Sequence, residues 1–209
     1  MSLTPVQDSV SAAAAVFSKI LEVLSGGFSL VTTGFTDGAT LPKGSLLKVD
    51  EAARTATPIK TAITVADSVS SQVHFVAAGH HFAVGDVIGV TVGGKARKIT
   101  AIKAKTGTTA TGGAGDRITV ATSDTVGAGS GIATSATGVV FYHAATTTAT
   151  GTLKVTPNTL LRDDALIGTT LVEAVTAVRR ATAYKNRIQD HNSTHLAGLY
   201  STIQISESY

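Results

Sequence analysis

From residue 28 onward the chain is a succession of short apolar runs, rich in threonine and valine and cut at glycine, with no helical period between them. Runs of that length cannot bury a helix face. They suit strands whose side chains alternate between a core and a second face, and such strands close into sandwiches or barrels rather than doubly wound sheets. Residues 28–33, 46–49, 59–65, 73–77, 87–92, 96–102, 117–121, 138–142 and 152–156 read as strands. Gly93 and Gly94 supply a two-residue hairpin connection, and Gly112, Gly113, Gly115 and Asp116 close a second loop. Residues 166–184 fit two periods. Leu171, Val172, Val175 and Val178 share a helical face, but the threonine and β-branched content favours a strand over 171–178.

A chain of 209 residues that is 43% hydrophobic and 15% charged can bury one sizeable core or two small ones. It has no cysteine and no tryptophan, which excludes disulfides, thiolate zinc sites and cysteine nucleophiles. The net charge of +3 comes from 17 basic against 14 acidic residues, and these are scattered. The one basic stripe holds Lys95, Arg97, Lys98, Lys103 and Lys105. It runs beside neither aromatic platforms nor a recognition helix, so it reads as solvated strand positions and no nucleic-acid partner is expected.

The first 27 residues carry a different pattern. Val10, Phe17 and Leu24 recur at every seventh position, with Val6, Ala13 and Ile20 on the companion seam. Thr4, Pro5 and Gln7 form a capping box with proline at the first helical position, and Gly26 and Gly27 supply a stop. Residues 1–27 are therefore expected to be a helix, packed on its own domain, bundled with copies of itself or docked on a larger assembly. No basic region precedes its apolar run, and Lys19 lies on the wrong side, so neither a secretory signal nor a membrane span is expected.

The remainder reads as one fold with an interruption. Residues 28–68 and 149–209 are expected to form an outer β domain, and residues 69–148 a small inserted β-barrel. The fold class is thus mainly β, with an N-terminal helix ahead of the outer domain and its inserted barrel. Several segments, in this order, carry a resemblance: P-x-G-x-x-L-x-V-D-x-x-x-R-T-A-x-x-x-K-T-A at 42–62, H-F-x-V-G-D-x-I at 81–88, A-x-x-I-T-A-I at 96–102, D-x-I-T-V at 116–120, L-K-V-T-P-N-x-L-L at 153–161, and I-x-I-S-x-S-Y at the end. Together they resemble the head fiber and capsid decoration proteins of tailed bacteriophages, over nearly all of the chain beyond residue 27. The resemblance implies a structural subunit on the outer surface of the virion capsid, a homotrimer docked on the major capsid protein, with no catalytic residues, cofactor or membrane. Val10, Phe17, Ile20 and Leu24 are the expected capsid or oligomer contact.

The residues offer little to an enzyme. Of the histidines, His74, His80, His81, His143, His191 and His195, only His191 and His195 have ligand spacing, next to Asp190. The glutamate of a zincin motif is missing, and Asn192, Ser193 and Thr194 read as a loop. No metal site is expected, unless these histidines meet an ion on a threefold axis. His80 and His81 read as an exposed turn. Gly127, Gly129 and Gly131 lack the Gly-Lys-Ser/Thr of a phosphate loop. Asp163 and Asp164, being adjacent on a strand, point to opposite faces. The serines have no G-x-S-x-G elbow. The glycosylation acceptor at Asn192 is discounted.

Two functions from different classes follow. One is a symmetric subunit that covers a capsid surface, with the Gly/Thr-rich tips at 106–115 and 125–137 pointing away from the shell. The other is a carbohydrate-binding or host-adhesion module whose partner is a host-surface glycan. Sugar faces usually stack on tryptophan or tyrosine, so a chain with no tryptophan and 5% aromatic residues is poorly supplied for it.

Overall fold

The computed structural model describes residues 15–24, 27–104, 115–121, 132, 137–168 and 174–207. The protein is mainly β. Its first strands are β1 (Phe17–Val23), β2 (Phe28–Leu30), β3 (Thr40–Leu41), β4 (Leu46–Asp50) and β5 (Thr55–Pro58). Then come β6 (Thr61–Ser70), β7 (Val73–Val76), β8 (Val87–Gly89), β9 (Ala96–Lys103), β10 (Asp116–Val120) and β11 (Val140–His143). The last are β12 (Thr159–Leu160), β13 (Ala165–Leu166), β14 (Ala174–Val175) and β15 (Val178–Tyr184), with β16 (Ile203–Ser206) after a five-residue helix α1 (Ser193–Ala197).

Strands β6 to β11 close on themselves in the order β10-β7-β6-β11-β8-β9, every pairing antiparallel. The register shifts in β6–β7 and β9–β10 mark bulges, which bend strands enough to close a small barrel. Its interior is apolar, with Val76, Ile88, Ile99, Ile118 and Phe141 among the buried residues. The hairpin at Gly93 and Gly94 is observed, though β8 ends at Gly89 and the connection is longer than two residues. Gly93 takes the left-handed φ of 86° that a tight turn here requires.

The strands before and after the barrel form the base. Five of them order as β12-β4-β5-β2-β14, with β2 and β5 parallel; β13 pairs with β3, and β1-β15-β16 make a third sheet. Two apolar clusters fill it. Phe28, Leu30, Leu41, Leu47 and Ile167 belong to one; Leu46, Ile59, Leu160, Ile188 and Ile203 belong to the other. The alternation in β4 divides between them, since Leu46 and Leu47 point to opposite faces. A turn at Pro42 and Lys43 precedes β4: the Ser45 N–H donates to the Pro42 carbonyl at 3.0 Å and Gly44 sits at φ 83°.

Several expectations need correction. Phe17–Val23 is a strand, not the second half of a helix, and residues 1–14 lie outside the described residues. The reason is reach. Phe17 packs on the cluster around Leu46 and Ile59, whereas Leu24 is buried in the cluster around Phe28 and Leu47. An extended segment of seven residues spans roughly 23 Å and a helical one only about 10 Å. Pairing with β15 also satisfies the side of the β1 backbone that faces it. The first barrel strand begins at Thr61, ahead of residue 69. Residues 152–156 form no strand; Leu153 contributes only an isolated bridge to Ala144. In the ambiguous stretch, Ala174–Val175 and Val178–Tyr184 are strands, and 169–173 lie outside the described residues.

Candidate functional site

Two surfaces hold what the fold leaves unused: an open strand edge on the base, and a polar seam between base and barrel. β1 is the edge of its sheet and pairs with β15 alone among the described strands. Residues 18–22 are all exposed. Ile20 is 38% and Leu21 51% exposed, an unusual place for two large aliphatic side chains. A shallow groove of about 290 Å³ runs along Ile20–Val23 and is bounded by Arg162. The Glu22–Arg179 ion pair beside it, at 3.7 Å and half exposed, contributes little.

Of the expected contact residues that are described, Ile20 alone is presented to solvent. Leu24 is buried in the base, Phe17 is half-buried against the same base, and Val10 lies outside the described residues. Leu21, the most exposed of the group, was hidden from a helical reading because it falls off the seven-residue repeat.

The seam is built around Lys60, which sits between β5 and β6 where the base hands the chain to the barrel. Its ammonium is buried. It donates to the Gly34 carbonyl of the base at 2.6 Å and to Asp86 Oδ2 of the barrel at 2.8 Å, and it lies 5.0 Å from the centre of the Phe35 ring. Asp86 also accepts from the Ala83 N–H at 2.9 Å, and its other oxygen is 3.4 Å from His143 Nε2. Burial penalises the Asp86 charge, but the bonds from His143, Lys60 and Ala83 outweigh it and hold the carboxyl far below the usual carboxylate range. A charge left at this junction without partners would cost several kcal/mol, so Lys60 and Asp86 depend on each other across it. Sequence reading passed over Lys60 and Asp86. The available signal was a lone lysine inside the apolar run 58–63.

His80 and His81 are partly buried, not an exposed turn; the His80 side chain is only 5% exposed. His80 Nδ1 accepts from the Phe82 N–H at 3.2 Å, which places the proton of the neutral ring on Nε2. That nitrogen is 3.7 Å from Asp116 Oδ2, too far for a hydrogen bond. Burial lowers the His80 pKa, Asp116 raises it and Lys60 lowers it. For His81, burial, then Lys60, then His80 all act downward. The His81 ring rests against Phe35 at 5.3 Å.

The remaining candidates are structural. His195 is completely buried and lies in α1, where a loop was expected. Its N–H donates to Asn192 Oδ1 and its Nδ1 accepts from the Asn192 N–H, a reciprocal cap that starts the helix. Burial and the neighbouring His191 push its pKa down to about 4. His191 lies 2.9 Å from the Gln189 carbonyl. A buried His195 cannot face a threefold axis, and among the described residues no group of three His, Cys, Asp or Glu is placed to hold a metal ion. Arg97 is buried, against its expected solvation, and donates to the Ala96 carbonyl at 3.1 Å. Asp164 accepts from the Lys43 N–H, and Asp163 pairs with Arg162 on the surface. Gly127, Gly129, Gly131 and most of the two Gly/Thr-rich tips lie outside the described residues. No family model, no curated protein and no solved structure matches the chain.

Proposed function

We propose that the chain is a structural virion protein, a head fiber or decoration subunit bound to the outer surface of a bacteriophage capsid. The observation that carries this is the edge position of β1, which pairs with β15 alone among the described strands and holds Ile20 and Leu21 in solvent. Such an edge accepts a strand from another protein through main-chain hydrogen bonds, and the exposed aliphatic pair adds apolar area. The occupant is the major capsid protein. The ordered motifs at 42–62, 81–88, 96–102, 116–120 and 153–161 support the same assignment by their resemblance to that family. Homotrimeric assembly multiplies a modest contact per copy into durable attachment. Function of this kind is exerted through contact area, not through turnover.

The test is Leu21→Asp. Because Leu21 is half exposed, the variant folds normally by circular dichroism, while its occupancy on purified capsids falls at least about tenfold through loss of an apolar contact and burial of a charge. Full occupancy of a folded Leu21→Asp protein would remove β1 as the anchor. A monomeric mass in light scattering at micromolar concentration would remove the trimer.

A further inference from the structure

His80, His81 and Phe82 clasp the seam from the barrel side. Phe82 is buried in the apolar cluster of the barrel, and the adjacent His81 ring rests on Phe35 of the base at 5.3 Å, so one short turn grips both regions. His80 holds that turn, because its Nδ1 accepts the Phe82 N–H at 3.2 Å. Only the neutral ring has an acceptor nitrogen. The proton that acid adds goes to that nitrogen, and two N–H groups then face each other. His80 therefore cannot be charged and keep this bond. Its other nitrogen, Nε2, is buried without a hydrogen-bond partner and lies 3.7 Å from Oδ2 of Asp116, the first residue of β10. A second acceptor thus stands just beyond the present reach of the ring.

We infer that His80 is a two-position switch: neutral, it holds the Phe82 N–H; protonated, it turns to Asp116 and releases the turn that clasps barrel to base. The charges around the ring set its direction. Asp116 attracts the imidazolium, whereas Lys60, ahead of β6, and the adjacent His81 repel it. Asp190, in the segment before α1, lines the same space, and beyond the Phe82 ring stands His143, 3.4 Å from an Asp86 oxygen whose carboxylate Lys60 and the Ala83 N–H already engage. Burial outweighs the attraction of Asp116, so the switch acts below the ordinary histidine value of about 6.5. His195 shows what Asp116 adds. Its Nδ1 likewise accepts a local N–H, from Asn192 at 3.2 Å, and its Nε2 is likewise buried without a hydrogen-bond partner. The one charge acting on it is that of His191, which repels, and its pKa lies at about 4. The same wiring is a fixed cap without a second acceptor and a switch with one. β1 takes no part in this device, which stands apart from the virion proposal.

Nitrogen–proton spectra of the histidine rings and backbone amides, recorded on the full chain from about pH 8 down to about pH 5, test the switch. At the start His80 carries its proton on Nε2 alone. As pH falls, protonation of Nδ1, an upfield shift of the Phe82 amide proton and loss of the His81–Phe35 ring contact share one midpoint, and all three reverse on return to neutral pH. Asp116→Asn should move that midpoint to lower pH, while His195→Gln leaves it in place. His80→Gln, whose carbonyl oxygen accepts the Phe82 N–H at every pH, should abolish the Phe82 shift. The inference fails if the His80 ring does not titrate in this range, if it titrates without moving the Phe82 amide, or if either His80→Gln keeps the transition or Asp116→Asn leaves its midpoint unmoved. It fails equally if the Val120 amide, bonded to the Gln72 carbonyl in the barrel, loses its exchange protection at the same midpoint, since that is unfolding of the barrel and not release of one turn.

Discussion

The barrel and the base manage strand edges in opposite ways. Each of the six described barrel strands has a neighbour on both sides, so none of them is an edge strand. The sheet β1-β15-β16 has an edge strand on each side among the described strands, and one of them, β1, carries Ile20 and Leu21 in water. The lesson is that closing a sheet satisfies its strands from within, whereas an edge strand leaves one side of its backbone to whatever packs beside it.

The largest effects should come from the barrel interior. Phe141 is fully buried there, and Phe141→Ala should cost about 4 kcal/mol in urea unfolding. If the barrel then melts before the base, the two regions are separate folding units; coincident transitions would make them one. Next in size is Lys60→Ala, which strips Asp86 of its cationic partner at the junction and should cost about 3 kcal/mol. The double change Lys60→Met with Asp86→Leu should recover part of that, because no lone charge remains. A loss no greater than that of a surface alanine would mean the network does not hold the regions together.

Acid separates the regions by a third route. Burial first, and His191 second, keep the pKa of His195 at about 4 in the fold. Unfolded chains take up that proton near the ordinary value of about 6.5, so the contribution is present above pH 6.5 and is lost as pH falls towards 4, in all about 3 kcal/mol. His74, His80 and His81 shift in the same direction, chiefly through burial. Asp86 behaves in a lower window: its stabilisation holds above the ordinary carboxylate value and declines only below about pH 4. His195→Gln should therefore flatten the urea midpoint between pH 6.5 and 4, and Asp86→Asn only the part below. A curve unchanged by His195→Gln would place the acid sensitivity elsewhere. The smallest effect is expected on the open edge, where Leu21→Ser should change stability by no more than about 0.5 kcal/mol. A cost of several kcal/mol would show that the edge is core, and the contrast with the barrel would fail.

Much of this architecture was readable in advance at particular residues. The alternation of β4 and β9 and the glycine turn between β8 and β9 announced strands correctly, because side-chain period and turn chemistry are local properties. The candidate sites were less readable. Lys60, Asp86 and His143 lie far apart in the chain and meet only at the junction. The Asp116 carboxylate beside His80 is invisible to any motif, since nothing about paired histidines in a turn foretells which groups will face them.

The amino-acid sequence alone determined a cysteine-free, mainly β protein with its turns at glycine, since period, composition and backbone freedom act within a few residues of one another. Tertiary structure decided the rest. The spacing of Phe17, Ile20 and Leu24 is that of a helix face, whereas a strand sends Phe17 and Ile20 to opposite sides. Only the distance between two base clusters, one taking Phe17 and the other Leu24, drew that segment out straight and left Leu21 exposed.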